Sequence, residues 1–183
     1  MKVAIQGIRG SYSEQAVNKL LENDCEILEC KTFSAVFESI LDGKADFAVI
    51  PVWNKIIGEI KSATYLLENS SLKVLKETYL PIKHALIGTK DSYLEKIKVI
   101  VSQAEALNQC RRFLEKNSHL YALSAEDTAI SVRCVVSLGC REIAAIGSIR
   151  AAEIYGGKVL RENISDSPNN STLFYLVGER RLC

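Results

Sequence analysis

The hydrophobic positions of this chain fall into short blocks whose spacing alternates between two periods. Phe47 to Val52 is a continuous apolar run, the pattern of a strand buried on both faces. Lys2 to Gln6, Cys25 to Cys30, Lys98 to Val101, Tyr121 to Leu123, Ile143 to Ile146 and Val159 to Glu162 are predicted as further short strands. A last run, Leu173 to Val177, follows the turn-forming Pro168-Asn169-Asn170 and predicts a core strand starting at about Thr172. Between these blocks the apolar residues recur at helical spacing. Ser11 and Glu14 have the spacing of a capping box, which predicts a helix from there to about Asn23. Phe33 to Leu41 is a second helix, stopped at Gly43. Further helices are predicted over Ile57 to Leu67, over Ala104 to Lys116 (opened by Ser102 and Glu105), from Ser124 and Asp127 to near Gly139, and over Ser148 to Tyr155 before Gly156-Gly157. Leu72 to Leu80 and His84 to Thr89 read as extended, split by Pro81.

Alternating strands and helices imply α/β layers with mostly parallel sheets. Two groups of such units joined by a long extended middle predict two lobes. Ligands of α/β sheets sit at the carboxyl ends of strands. Three of those ends carry a serine followed by a helix start: Ser11, Ser102 and Ser148. Each offers a hydroxyl, free backbone N–H groups and the positive end of a helix dipole, which together suit a carboxylate. Each taken singly is equally a plain N-cap.

Composition narrows the classes. The chain has 183 residues, 48% hydrophobic and 25% charged, with a net charge of +1. That is ordinary for a globular protein and carries no footprint for nucleic acid. No apolar run is long enough to span a bilayer, and Met1 to Gln6 is too short for a signal peptide. The six cysteines show no CxxC spacing and the two histidines, His84 and His119, lie apart, which argues against a metal site. We read a reducing cytoplasm with structural thiols, and an exposed Cys183. No cofactor and no nucleic-acid or membrane partner is expected.

With the segments laid out, the chain resembles the prephenate dehydratase family over nearly its whole length. Gly7-Ile8-Arg9-Gly10-Ser11-Tyr12-Ser13 is similar to that family's G-P-x-G-T-F-S opening. Phe37-Glu38-Ser39 and the segment from Ala45 to Pro51 lead to its P-x-E-N-S motif. Tyr79 to His84 resembles Y-L-P-I-x-H, and Ser102 to Cys110 resembles S-H-P-Q-A-L-x-Q-C. Asp127-Thr128-Ala129, Ala144-Ala145-Ile146, Ala151 to Gly156 and Asp166 to Asn170 follow in order. The resemblance implies a two-lobed, periplasmic-binding-protein-like (type II) α/β fold with a central cleft. It implies 1–78 with 166–183 as one lobe and 79–165 as the other. It further implies a homodimer acting on prephenate. It carries catalytic roles onto Thr172, Ser11 and Asn54, and substrate contacts onto Arg9, Gly10, Trp53, Lys55, Ser102, Ala104, Leu107, Ser171, Leu173 and Phe174.

The departures from the family pattern bear on the reaction. The T-R-F motif is Thr172-Leu173-Phe174 here, without its arginine, and E-N-S is Trp53-Asn54-Lys55. The ACT domain that usually follows is not in the sequence, so phenylalanine feedback through it is not expected. Altered motif residues, the lost T-R-F arginine among them, together with an ACT domain not in the sequence, resemble the non-aromatising prephenate decarboxylases of natural-product biosynthesis, which release CO2 but keep the ring hydroxyl. That is the reading preferred on the sequence; Trp53 would close over the ring or pack at a hinge, and Lys55 or Arg9 would supply charge. The alternatives are a prephenate dehydratase giving phenylpyruvate and an inactive homologue that binds a small carboxylate. His84 is expected to be structural. The pairs Arg111-Arg112 and Arg180-Arg181 are expected to be solvated.

Overall fold

The computed structural model describes residues 1–21 and 25–179; the expected helix end at Asn23, Arg180-Arg181 and Cys183 lie outside that range. The elements in chain order are β1 (Lys2–Gln6), α1 (Tyr12–Leu20), β2 (Glu26–Cys30), α2 (Phe33–Leu41), β3 (Phe47–Asn54), β4 (Gly58–Glu59), α3 (Lys61–Glu68), β5 (Lys73–Pro81) and β6 (Ala85–Gly88). They continue with β7 (Val99–Gln103), α4 (Ala104–Gln109), α5 (Arg111–Lys116), β8 (Tyr121–Ala125), α6 (Thr128–Leu138), β9 (Ile143–Gly147), α7 (Ile149–Tyr155), β10 (Lys158–Arg161) and β11 (Ser171–Gly178).

The chain forms two compact units, each a mixed α/β layer structure with its own sheet. The first joins Met1–Ile82 to the segment from Asn170 onward; the second is Lys83–Asn169. In the first unit the strand order is β2-β1-β3-β11-β5, with β4 paired to β3. β1 runs parallel to β2 and β3, while β11 is antiparallel to both β3 and β5. The last strand therefore shares a sheet with the first, in keeping with the lobe that the resemblance implied. The second unit has the order β10-β6-β9-β7-β8.

The period-2 alternation of the first sheet divides its core in two. Val3, Ile5, Val49, Leu80, Phe174 and Leu176 face α1. Ala4, Ala48, Ile50, Val52 and Val177 face α2 and α3, joined by the half-buried Leu173 and Tyr175. Each large apolar side chain buried this way contributes roughly 1.5–3 kcal/mol. In the second unit Leu86, Ile100, Ala144 and Ile146 pack with Ala106 and Cys110.

Local signals held where the cap was local. Asp127 and Ser148 cap α6 and α7 with their side chains, and Gly139 and Gly156 close those helices in the left-handed conformation. Three expectations fail. The helix expected over Ile57 to Leu67 begins at Lys61, because Gly58 and Glu59 pair with β3. The helix expected over Ala104 to Lys116 is two helices broken at Cys110. Ser102 and Ser124 open no helix: strands β7 and β8 continue through them, so their backbones are already committed to the ladder.

Candidate functional site

The loop after β1 is the most tightly specified stretch of the first unit. Gly7 and Gly10 both have positive φ, 98° and 88°, where a side chain is strained. Ser11 then caps α1, its Oγ accepting from the Glu14 amide at 3.3 Å. The reciprocal half of the box is displaced by one residue: Glu14 Oε2 accepts from the Gly10 amide at 2.8 Å. Glu14 is only 2% exposed, and its Oε1 lies 3.7 Å from Arg9 Nε. The Arg9 amide donates to Glu29 Oε1 at 2.8 Å. Two carboxylates thus fix the loop backbone, while the Arg9 guanidinium stays largely in solvent. Sequence reasoning used Glu14 only as a capping residue; a buried acid right behind two obligate glycines was the signal available.

Asn54 and Thr172 meet at the same end of this sheet. β1 and β3 are parallel, so their carboxyl ends share an edge, and antiparallel β11 begins there. Asn54 Nδ2 donates to Thr172 Oγ1 at 2.8 Å, and both side chains are buried. The amide cannot turn over, because Asn54 Oδ1 accepts from the amides of Ile56 and Ile57 at 2.9 and 3.1 Å. The Thr172 oxygen is therefore an acceptor toward Asn54, and its own proton is left to donate. Among the described residues no acceptor takes that proton. The Lys55 amide donates to the Ser171 carbonyl at 2.9 Å, so Lys55 and Ser171 flank the pair.

Two other expected contact residues turn away from it. Residues directly opposite in an antiparallel ladder point to the same face. Leu80, Thr172 and Asn54 form one such row, on the α1 side with Leu80 and Phe174. Tyr79, Leu173, Trp53 and Glu59 form the next row, on the α3 side. A register shift between Leu173 and Phe174 leaves Val52 unpaired and brings Val52 and Trp53 to the same side, as a β-bulge does. Leu173 and Trp53 are thus cross-strand partners, on the face opposite Thr172. Phe174 is 2% exposed and belongs to the α1-side core.

Ser102, Ala104 and Leu107 belong to the second unit. The expected Ser102 cap is not made: the residue preceding α4 is Gln103, which makes no side-chain cap bond. Ser102 is fully buried and donates to the Ile146 carbonyl at 2.7 Å, tying β7 to β9. Ala104 opens α4, and Leu107 packs against the Cys110 core. Nearby, His84 is buried with its Nε2 3.0 Å from Gln109 Oε1, an oxygen that accepts, so Nε2 carries the hydrogen. Burial lowers the His84 pKa below its usual value, against the weaker opposing effect of the Gln109 bond. Burial also pushes the Cys110 thiol up to about 12, which makes it an inert core group. No cluster of three metal-ligating side chains occurs among the described residues, and no helix there is long and apolar enough to cross a membrane.

Residues 3–181 match the family described as prephenate dehydratase. The chain is 38% identical over 178 residues to the arogenate dehydratase/prephenate dehydratase 1 of Arabidopsis thaliana, covering 97% of this chain and 45% of that protein. The chain thus spans about half the length of curated relatives such as this one. Among solved structures, a protein described as a novel type of quorum quenching acylase, GqqA, superposes with a TM-score of 0.88 at 28% identity, covering all of this chain and 66% of the other. The prephenate dehydratase of Arthrobacter aurescens, solved with L-Phe, gives 0.86 at 25% identity, covering all of this chain and 61% of the other.

Proposed function

The chain belongs to the prephenate dehydratase family, and from that premise we propose that it is an aromatising lyase acting on prephenate or arogenate. The observation that carries this reading is the division of the two motif segments between sheet faces. Asn54 and Thr172 keep their bond on one face, while the two departures from the family pattern, Trp53 and Leu173, oppose each other on the other. At these positions the family's own motifs put an acid and an arginine. Cross-strand partners of opposite charge stabilise each other by roughly 0.2–1 kcal/mol, so losing one alone would leave the other charge without its partner. The two departures are then one coupled exchange, away from the hydroxyl. The preference for a non-aromatising product rested in part on these lost residues, and their place on the face away from the Thr172 hydroxyl weakens it.

The reaction is redox-neutral. The bond from the ring to its carboxylate breaks, the electron pair enters the ring, and the bond to the ring hydroxyl breaks on the other side. CO2 and hydroxide leave, and hydroxide takes a proton from solvent to become water. Charge builds on the departing oxygen, so a fixed donor there lowers the barrier. Thr172 is suited to that role because Asn54 orients its oxygen and leaves its proton free. The exposed Arg9 guanidinium supplies positive charge for a carboxylate, whereas the Gly10 and Ser11 amides are already taken by Glu14 Oε2 and the Ile8 carbonyl.

The test is product analysis. Purified protein given prephenate or arogenate should release CO2 with phenylpyruvate or phenylalanine, above the spontaneous rate, by ultraviolet and NMR measurement. A non-aromatic hydroxy product would transfer the assignment to the decarboxylase reading. Binding without turnover would favour the inactive homologue.

A further inference from the structure

The row of residues that turns away from Thr172 floors a groove of about 540 Å³ on the α3 side of the first sheet. We propose that this groove binds a small organic cation, an ammonium group carried on an aromatic or aliphatic body. Tyr79, Leu173 and Trp53 lie side by side on three adjacent strands, and Tyr175 extends the apolar floor. Trp53 is 50% and Tyr79 58% exposed, a large aromatic area for a surface of this size to leave open. The indole is backed by β4: a side chain added at Gly58 would lie 3.9 Å from Trp53 Cη2. At the rim stand two carboxylates, Glu59 opposite Trp53 on β4 and Glu68 at the end of α3. Thr64 Oγ1 donates to Glu59 Oε1 at 2.7 Å and anchors that acid on the groove wall. Among the described residues no lysine, arginine or histidine lines the groove, and neither acid has a cationic partner.

That combination selects by charge. Aromatic faces attract a cation through their quadrupole, and a carboxylate at their edge adds to it. The same two acids repel a dicarboxylate, so the groove and the Asn54–Thr172 end of the sheet favour ligands of opposite sign. The cation site exists only in a chain whose residues 53 and 173 are apolar, since an acid–arginine pair would fill the floor with its own charges.

Trp53 is the only tryptophan of the chain, so its emission reports the groove directly. The probes are phenethylammonium, 2-phenylethanol and 3-phenylpropionate, titrated into the full chain at neutral pH. The expected result is a saturable change with phenethylammonium, with the neutral and anionic probes at least about tenfold weaker. Added salt should weaken the cation and leave the alcohol unchanged. The double variant E59Q/E68Q should bring the cation down to the level of the alcohol while keeping the wild-type circular dichroism and unchanged turnover of prephenate. Equal affinity for all three probes, or no response to phenethylammonium up to about 10 mM, overturns the proposal. So does a Trp53 emission that shifts with protein concentration as the chain self-associates, which would mean that a second copy covers the face. Turnover is read separately, so loss of one result leaves the other standing.

Discussion

The two faces of the first sheet, at the same end and one residue apart in sequence, have opposite characters. Toward α1, Asn54 and Thr172 are buried and polar, and the Asn54 amide is oriented from both ends, by Thr172 at its nitrogen and by the Ile56 and Ile57 amides at its oxygen. Toward α3, Trp53 is half exposed and Leu173 half-buried, both apolar, with acids only at the rim. Neighbouring residues of a strand have independent fates because their side chains leave by opposite faces. A motif such as Thr-Leu-Phe is therefore not one functional unit. Its first residue belongs to the polar row, its second to the groove, and its third to the core.

The contrast breaks most sharply at the hydroxyl. Thr172→Val keeps the shape and removes the donor, and should cut turnover roughly 100-fold or more, the scale of losing one fixed donor at a developing oxyanion. Its thermal midpoint should move by only a few degrees. Steady-state rates near wild type would show that the polar row is structural.

The opposite row should answer in stability rather than rate. Leu173→Arg and Trp53→Glu singly should each destabilise by about 1–2 kcal/mol, since each puts one charge beside an apolar partner. The double variant should recover about 1 kcal/mol of the summed loss, as a cross-strand ion pair. Urea denaturation measures the cycle, and turnover should stay within about threefold throughout. Additive losses would remove the coupling on which the functional reading rests.

Two of the three serines grouped as helix caps, Ser102 and Ser11, make a finer test. Ser102→Ala leaves the Ile146 carbonyl without its donor and should cost about 1–2 kcal/mol with little change in KM. Ser11→Ala loses a cap, about 1 kcal/mol, but should also raise KM because the loop carrying Arg9 and Gly10 loosens.

The smallest effect lies off both faces, at His84. Its folded pKa is lowered, so the unfolded chain binds the proton first as pH falls. Stability from this group is complete above about 6.5 and is lost as pH drops below that value toward the folded pKa, by at most about 1.4 kcal/mol per pH unit. His84→Asn should flatten that slope in pH-dependent denaturation.

What the sequence determined by itself is what depends on neighbours a few residues apart. Strand and helix periods, the caps of Ser11, Asp127 and Ser148, and the left-handed stops at Gly139 and Gly156 are local, and the structure has them. The collinear motifs likewise marked Thr172, Ser11 and Asn54, each separately, as residues with a role. The sequence failed where a longer-range partner outbid a local one: Ser102 carries a capping spacing, yet pairing with β8 and the Ile146 carbonyl hold it in a strand. Nor could it show which face a residue takes. The bulge at Val52–Trp53 is set by the register against β11, through contacts such as that between Asn54 and Thr172, 118 positions apart. One residue of slip in a period-2 element moves every following side chain to the other face. Only the assembled sheet fixes that register, and so only the tertiary structure decided that Leu173 meets Trp53 and turns away from the hydroxyl beside it.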